Sequence, residues 1–375
     1  MEKDLHLLNF LEPPSEIKVL RISGYRGLQL PNWMMKMDMV NLSNPPRFSH
    51  LTKLVLENLP NLVELLTTTT GLANGDEEDE VKYYFPHLSI LEISDCPNLN
   101  VKPYFSPSLR SLTLEGSNEQ LMFFHPHHAH ADESSSCSCI VDVRCPELTA
   151  LKLRRVVGSS SGWEVLQQLT CLRSLEISGC NDLRQLPESM RGLTNLRRLQ
   201  LQHCNNLCMM PEWLGELQSL EALFIQCLPS MSFLPDSIQH LTSLQSLTIS
   251  HCNAFHQLPE QLGELCSLSE LQILSLPALT YLPDSMQRLT SLRLLNLYHC
   301  NALTQLPEWL GELSALRQFW IQDCPGLTSL PHSMRRLTTL EALMIRSCPE
   351  LVRRCKEGVG EDWHLVSHIP DLDLQ

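Results

Sequence analysis

Leu172-Arg-Ser-Leu175-Glu-Ile177-Ser-Gly-Cys180 is a nine-residue phrase with apolar residues at positions one, four, six and nine. Its first residue recurs at Leu196, Leu220, Leu244, Leu268, Leu292, Leu316 and Leu340, each 24 residues after the one before. A fixed period of that length belongs to stacked repeat architectures. Alternate side chains of a strand share a face, so Leu175 and Ile177 point inward together. A single unit is too small to bury that face, and stacked units build one continuous core.

Upstream the phrase is looser. It begins at Ile17, Leu51, Leu88, Leu109 and Leu148, with steps of 34, 37, 21, 39 and then 24 residues to Leu172. Thirteen strands are therefore expected, with insertions mapping to loops outside the strand face. The L-x-x-L-x-L-x-x-C form is that of a leucine-rich repeat. The expected fold is an α/β leucine-rich-repeat solenoid, a horseshoe with a parallel β-sheet on the concave face and short helical or irregular turns on the convex face. The expected organisation is irregular repeats over 1–147, with low-complexity insertions at about 67–84 and 117–147. Regular 24-residue repeats follow over 148–348, then a C-terminal cap over 349–375. The N-terminal side offers no comparable cap, which suggests continuation there.

After each regular strand the chain returns in one of two forms. Pro211, Pro259 and Pro307 introduce E-x-L-G-E-L, whereas Pro187, Pro235, Pro283 and Pro331 introduce an S-[MI]-x-x-L-T version. The forms alternate, so the underlying unit is a 48-residue pair. Proline fits the first position of a short helical turn, and the acid after it favours the positive end. The acids Glu188, Glu212, Asp236, Glu260, Asp284 and Glu308 thus have a local structural reading rather than that of a cation site.

Of the 375 residues 43% are hydrophobic and 6% aromatic, which suits a core tiled by leucine. The net charge of -14 argues against nucleic acid and anionic membrane surfaces as partners. The N-terminus lacks the basic-then-apolar layout of a signal peptide, and no apolar run is long enough to span a bilayer. The Asn41-Leu-Ser43 sequon is too short to imply secretion. Seven of 15 cysteines hold position nine (Cys96, Cys180, Cys204, Cys252, Cys300, Cys324, Cys348), where a small buried thiol can face backbone carbonyls. Parallel Cβ directions in such a ladder oppose disulfides. Reduced thiols and a cytoplasmic location are expected.

The insertions are compositionally biased. Asp76-Glu77-Glu78-Asp79-Glu80 reads as part of a solvated loop. His125, His127, His128 and His130, followed by Cys137, Cys139 and Cys145, prompt a zinc hypothesis. Their spacing departs from usual zinc-ligand spacing, and no metal or other cofactor is expected. The chain has no phosphate-binding loop, no H-E-x-x-H and no kinase set, so it is read as non-enzymatic. His203, His251 and His299 share one position in alternate repeats, about 10 Å apart at two strand spacings. That is too far to share a metal ion, and they read as surface residues.

The remaining candidate surface is the outward side of the strands. In the regular repeats it carries Arg173, Arg197, Arg198, Arg293, Arg317 and Arg346 against Glu176, Glu221, Glu270, Asp323 and Glu341. This near-balance is not that of a polyanion groove. Phe224 and Trp320 at position five and Tyr298 at position seven stand among the arginines, the composition of a protein interface. Arg197, Arg198, Phe224, Arg293, Tyr298, Arg317 and Trp320 are the candidate partner-binding residues.

The longer pattern from Leu292 to Leu316, L-x-x-L-x-L-x-x-C-x-x-L-x-x-L-P-x-x-[LM]-x-x-L-x-x-L, resembles the leucine-rich repeats of plant intracellular NLR immune receptors. The likeness is to the coiled-coil, RGA-type class of grasses. Glu16-Ile-Lys-Val-Leu-Arg-Ile-Ser-Gly-Tyr25 with Leu30-Pro31-Asn32-Trp33 resembles a mid-receptor repeat, and the stretch from Cys348 to Pro370 resembles the class's C-terminal end. The extracellular G-x-I-P signature is absent, and so are the coiled coil and nucleotide-binding switch of complete receptors. The resemblance implies a sensor of pathogen effectors or modified host proteins that restrains a nucleotide switch carried elsewhere, in cis or in trans. The alternative is a stand-alone adaptor or decoy, such as the recognition part of a ubiquitin ligase.

Overall fold

The computed structural model describes residues 8–34, 48–66, 68–70, 81–102, 106–116, 147–156 and 160–375. The sequon, the acidic run at 76–80 and the His/Cys stretch over 117–146 lie outside them. The chain divides into two compact units, 1–175 and 176–375.

The first unit carries β1 (Val19–Ser23), β2 (Lys53–Glu57), β3 (Glu64–Leu66), β4 (Thr68–Thr70), β5 (Val81–Tyr83), β6 (Ile90–Ser94), β7 (Asn100–Lys102), β8 (Ser111–Glu115) and β9 (Ala150–Arg154). Strands β1, β2, β6, β8 and β9 pair in parallel in that order. Leu20, Leu54, Leu91, Leu112 and Leu151 form one register column, and Ile22, Leu56, Ile93, Leu114 and Leu153 another. Uneven steps between phrases leave this register intact. The intervening chain also forms two minor pairs not anticipated from the phrase, β3 with β7 in parallel and β4 with β5 antiparallel.

Strand β10 (Ser174–Ser178) spans the division. The second unit continues with β11 (Arg198–Gln202), β12 (Ala222–Gln226), β13 (Ser246–Ser250), β14 (Glu270–Leu274), β15 (Leu294–Tyr298), β16 (Gln318–Gln322) and β17 (Ala342–Arg346). β18 (Asp371–Leu374) follows after a helix at Pro349–Arg354 and a turn of helix at Trp363–Val366. Each of the thirteen phrases forms a strand. β18 is an addition: Asp-Leu-Asp-Leu lacks the phrase yet alternates, and it pairs in parallel with β17 by setting Leu372 beside Leu343 and Leu374 beside Ile345. Arg354 grips Asp362 with Nε–Oδ2 2.8 Å and Nη2–Oδ1 2.7 Å, and Leu330 N–H donates to the same carboxylate at 3.2 Å.

Positions four and six are buried in every strand from β10 to β17. Full burial of a leucine contributes about 1.5–3 kcal/mol, so the stabilising energy runs along these columns. The returns are 3-10 turns. Leu214, Leu217 and Leu220 are buried and spaced by three, which matches three residues per 3-10 turn. Proline does not take the first helical position. Pro211, Pro259 and Pro307 sit one place earlier in extended conformation, and the acid itself is the first helical residue.

That acid serves the following repeat. Glu212, Glu260 and Glu308 accept the backbone N–H of Ser237, Ser285 and Ser333 at 3.1, 3.1 and 2.9 Å. In the same pairs Gly215, Gly263 and Gly311 lie so close to the serine carbonyl oxygens that a side chain there would collide with backbone. The 48-residue pair is thus a physical dovetail: glutamate and glycine of one turn receive the serine of the next.

Candidate partner-binding surface

Positions three, five and seven of β11 to β17 face away from the core. Register makes them columns across the strands. Position five reads Gln200, Phe224, Thr248, Gln272, Asn296, Trp320 and Met344.

The seven candidate residues fall into two groups. Arg197, Arg198 and Phe224 lie together on β11, β12 and the residue before β11. Arg197 is paired with Glu221 at 2.8 Å, and the Arg198 guanidinium stands 4.4 Å from the Phe224 ring centroid. The second group is Arg293, Tyr298, Arg317 and Trp320 at β15 and β16. Arg317 is paired with Glu341, while Arg293 is exposed and has no acidic partner among the described residues. Tyr298 is 36% exposed, with its ring centroid 6.1 Å from that of His299. Phe224 and Trp320 are four strand spacings apart, about 19 Å. One contiguous cluster does not form.

Asn296 was not singled out by sequence. It is 8% exposed, and its Oδ1 has no hydrogen-bond partner among the described residues. Leaving such an acceptor unmet costs about 1–3 kcal/mol. Thr248 Oγ1 in the same column also has no partner among the described residues. Leu274, Leu294 and Met344 add half-buried apolar surface at outward positions. The available signal was apolar side chains where the phrase predicts polar ones.

His203, His251 and His299 sit at φ 53°, 54° and 53°. Position eight is left-handed in other repeats too, with Asn58, Asp95, Cys227, Ser275, Asp323 and Ser347 there. Histidine, asparagine and aspartate are enriched in that conformation, which accounts for the recurring histidines without chemistry. Each backbone N–H there turns to the next strand, as in His251 to Leu274 O at 2.9 Å.

The position-nine thiols do face carbonyls: Cys204 Sγ reaches Gln202 O at 3.3 Å and Ile177 O at 3.9 Å. Burial pushes the Cys96, Cys252 and Cys348 thiols up to about 11, so they are poor nucleophiles. Among the described residues no group of three or more His, Cys, Asp or Glu is placed to hold a metal ion. No helix among them is long and apolar enough to cross a membrane.

A cavity of about 460 Å³ opens beside the turns, lined by Glu260, Tyr281, Asp284, Glu308 and His332 among others. Burial raises the Glu308 pKa, but the N–H groups of His332 and Ser333 outweigh it and hold the carboxyl below its ordinary range.

The family model described as R13L1/DRL21 LRRs matches residues 1–69. The chain is similar to disease resistance protein RGA2 of Solanum bulbocastanum, 28% identical over 204 residues covering 50% of this chain and 19% of that protein. A stretch of 27 residues is 56% identical to putative disease resistance protein RGA4 of the same species, over 7% of this chain and 3% of that one. The chain thus spans about a fifth or less of these relatives' length. A leucine-rich-repeat protein of Leptospira interrogans matches over 100% of this chain and 86% of its own, with TM-score 0.52 and 18% identity, a likeness of fold. The chain is a leucine-rich-repeat protein that resembles the repeat region of plant NLR disease-resistance proteins.

Proposed function

We propose that this leucine-rich-repeat chain is a non-enzymatic protein-recognition module of plant immune-receptor type. Its strand face receives a pathogen effector or a modified host protein, and the module restrains a nucleotide switch carried elsewhere. The observation that carries the reading is the outward set of β11 to β17, where Phe224, Tyr298 and Trp320 stand among arginines. Aromatic and arginine side chains supply most interface energy. The similarity to RGA2 supports the immune setting. A cytoplasmic location belongs to the same reading.

A switch is biased only by a ligand that binds one state better than the other. The test has two arms. Purified chain is titrated against a panel of effector proteins and their host targets, and nucleotide release from the nucleotide-binding domain of a resistance-protein relative is followed with and without the chain. Binding to a panel member, together with slowed nucleotide release that the member relieves, is expected. Binding without any effect on release favours the adaptor alternative; neither effect contradicts both.

A further inference from the structure

The middle of the strand face of the second unit lacks donors that it needs. Asn296 Oδ1 is buried and has no hydrogen-bond partner among the described residues. Two strands away, across Gln272, Thr248 Oγ1 is unpartnered as well. Phe224 lies beyond Thr248 and Trp320 beyond Asn296, so the row has aromatic ends and a polar middle. Arg198 and Arg293 are exposed cations with no acidic partner among the described residues, unlike Arg197 and Arg317, which are engaged by Glu221 and Glu341. The outward acid in the middle of the row, Glu270, accepts from Ser246 Oγ at 3.4 Å, so carboxylates of an occupant belong at its two ends. Arg198 belongs to the Phe224 end, stacked on its ring, and Arg293 leads into β15 beside the Trp320 end.

The spacing suits one kind of occupant. A polyproline-type extended chain repeats every three residues at about 3.1 Å each, so one side of it recurs every ~9.3 Å. Two strand spacings are about 9.6 Å. Side chains i, i+3 and i+6 of a segment crossing the strands therefore fall over β12, β14 and β16, at Phe224, Gln272 and Trp320. Its intervening groups pass over Thr248 and Asn296.

We propose that this row binds an extended acidic segment of a partner polypeptide. Large apolar side chains six residues apart seat on Phe224 and Trp320, N–H or amide donors between them satisfy Thr248 and Asn296, and carboxylates engage Arg198 and Arg293. The assignment rests on the strand face being the recognition surface. It adds which segment chemistry that surface selects. Asn296 Oδ1 has no partner among the described residues, so the side-chain amide is retained at a loss to the free protein and a gain to the complex.

The test pans a random twelve-residue phage-displayed peptide library on the full chain. Enriched peptides are then titrated against wild type and the variants Asn296→Leu, Arg293→Gln, Trp320→Ala, Arg198→Ala and Glu216→Gln. The last residue pairs with Arg191 on the turn side. Enriched sequences should carry acids beside large apolar residues six apart. Asn296→Leu should weaken binding at least about tenfold while leaving the melting temperature unchanged or higher, because an unmet acceptor is gone. The proposal is overturned by peptides without acids, by binding indifferent to Asn296→Leu, by a lowered melting temperature in that variant, or by no enrichment. The broader strand-face reading fails separately, if binding is also indifferent to Trp320→Ala and Arg198→Ala.

Discussion

Gly311 and Ser333 interlock across consecutive turns: Gly311 N–H donates to Ser333 Oγ at 3.2 Å, and a Cβ built on Gly311 would lie 2.5 Å from the Ser333 carbonyl oxygen. Ordinarily Gly→Ala stabilises by stiffening the unfolded chain. Here the obstacle is backbone, so Gly311→Ala should destabilise by about 1–3 kcal/mol. Urea unfolding of the variant checks this, and a raised midpoint would show that the pair is not dovetailed. In the serine-form turns the corresponding place holds Arg191, Gln239, Gln287 and Arg335, and alanine there should be near neutral.

Position eight makes a second prediction. His251 at φ 54° should tolerate Gly, whereas His251→Val should cost about 1–2 kcal/mol, the steric cost of a left-handed residue with a branched side chain. Thermal melts of the two variants distinguish backbone conformation from any role of the imidazole, because both lose the ring.

Glu308 gives a pH dependence. Its carboxyl is held below its ordinary pKa in the folded chain, so its contribution is present above the unfolded pKa and is lost as pH falls through the lowered folded value. Glu308→Gln should melt below wild type at pH 6, by an amount near the low end of the capping range, about 0.5 kcal/mol. The two curves should converge as pH falls through that lowered value. A gap that persists in acid would place the effect outside the carboxylate.

Thiol chemistry follows burial. Iodoacetamide at neutral pH should modify exposed Cys171, Cys208 and Cys266 first and leave Cys96, Cys252 and Cys348 intact until the chain unfolds. Peptide mapping by mass spectrometry reads the order. Early modification of Cys252 would mean that the repeat stack opens locally.

The strands were legible because Leu175 and Ile177 have a two-residue alternation that recurs every 24 residues, and nothing else in the chain competes with that period. β18 was not, since Asp371-Leu-Asp-Leu374 has the alternation without the flanking leucine and cysteine. The alternation of turn forms was visible, but its cause required seeing Glu308 reach Ser333 rather than serve only its own turn. The proline position differed for a related reason: a five-residue 3-10 turn uses proline as the extended residue before it. On the strand face, residue types pointed to Phe224 and Trp320, but not to Asn296. An outward position in a phrase says nothing of how neighbouring strands cover it.

The strand face is the proposed surface that meets a protein partner. The most direct measurement is the affinity of a panel ligand for wild type, for Tyr298→Ala/Trp320→Ala on the strand face, and for Glu188→Gln/Glu216→Gln on the turn side. A loss of about tenfold or more is expected in the first variant and little change in the second. An unchanged strand-face variant with a weakened turn-side variant would contradict the proposal.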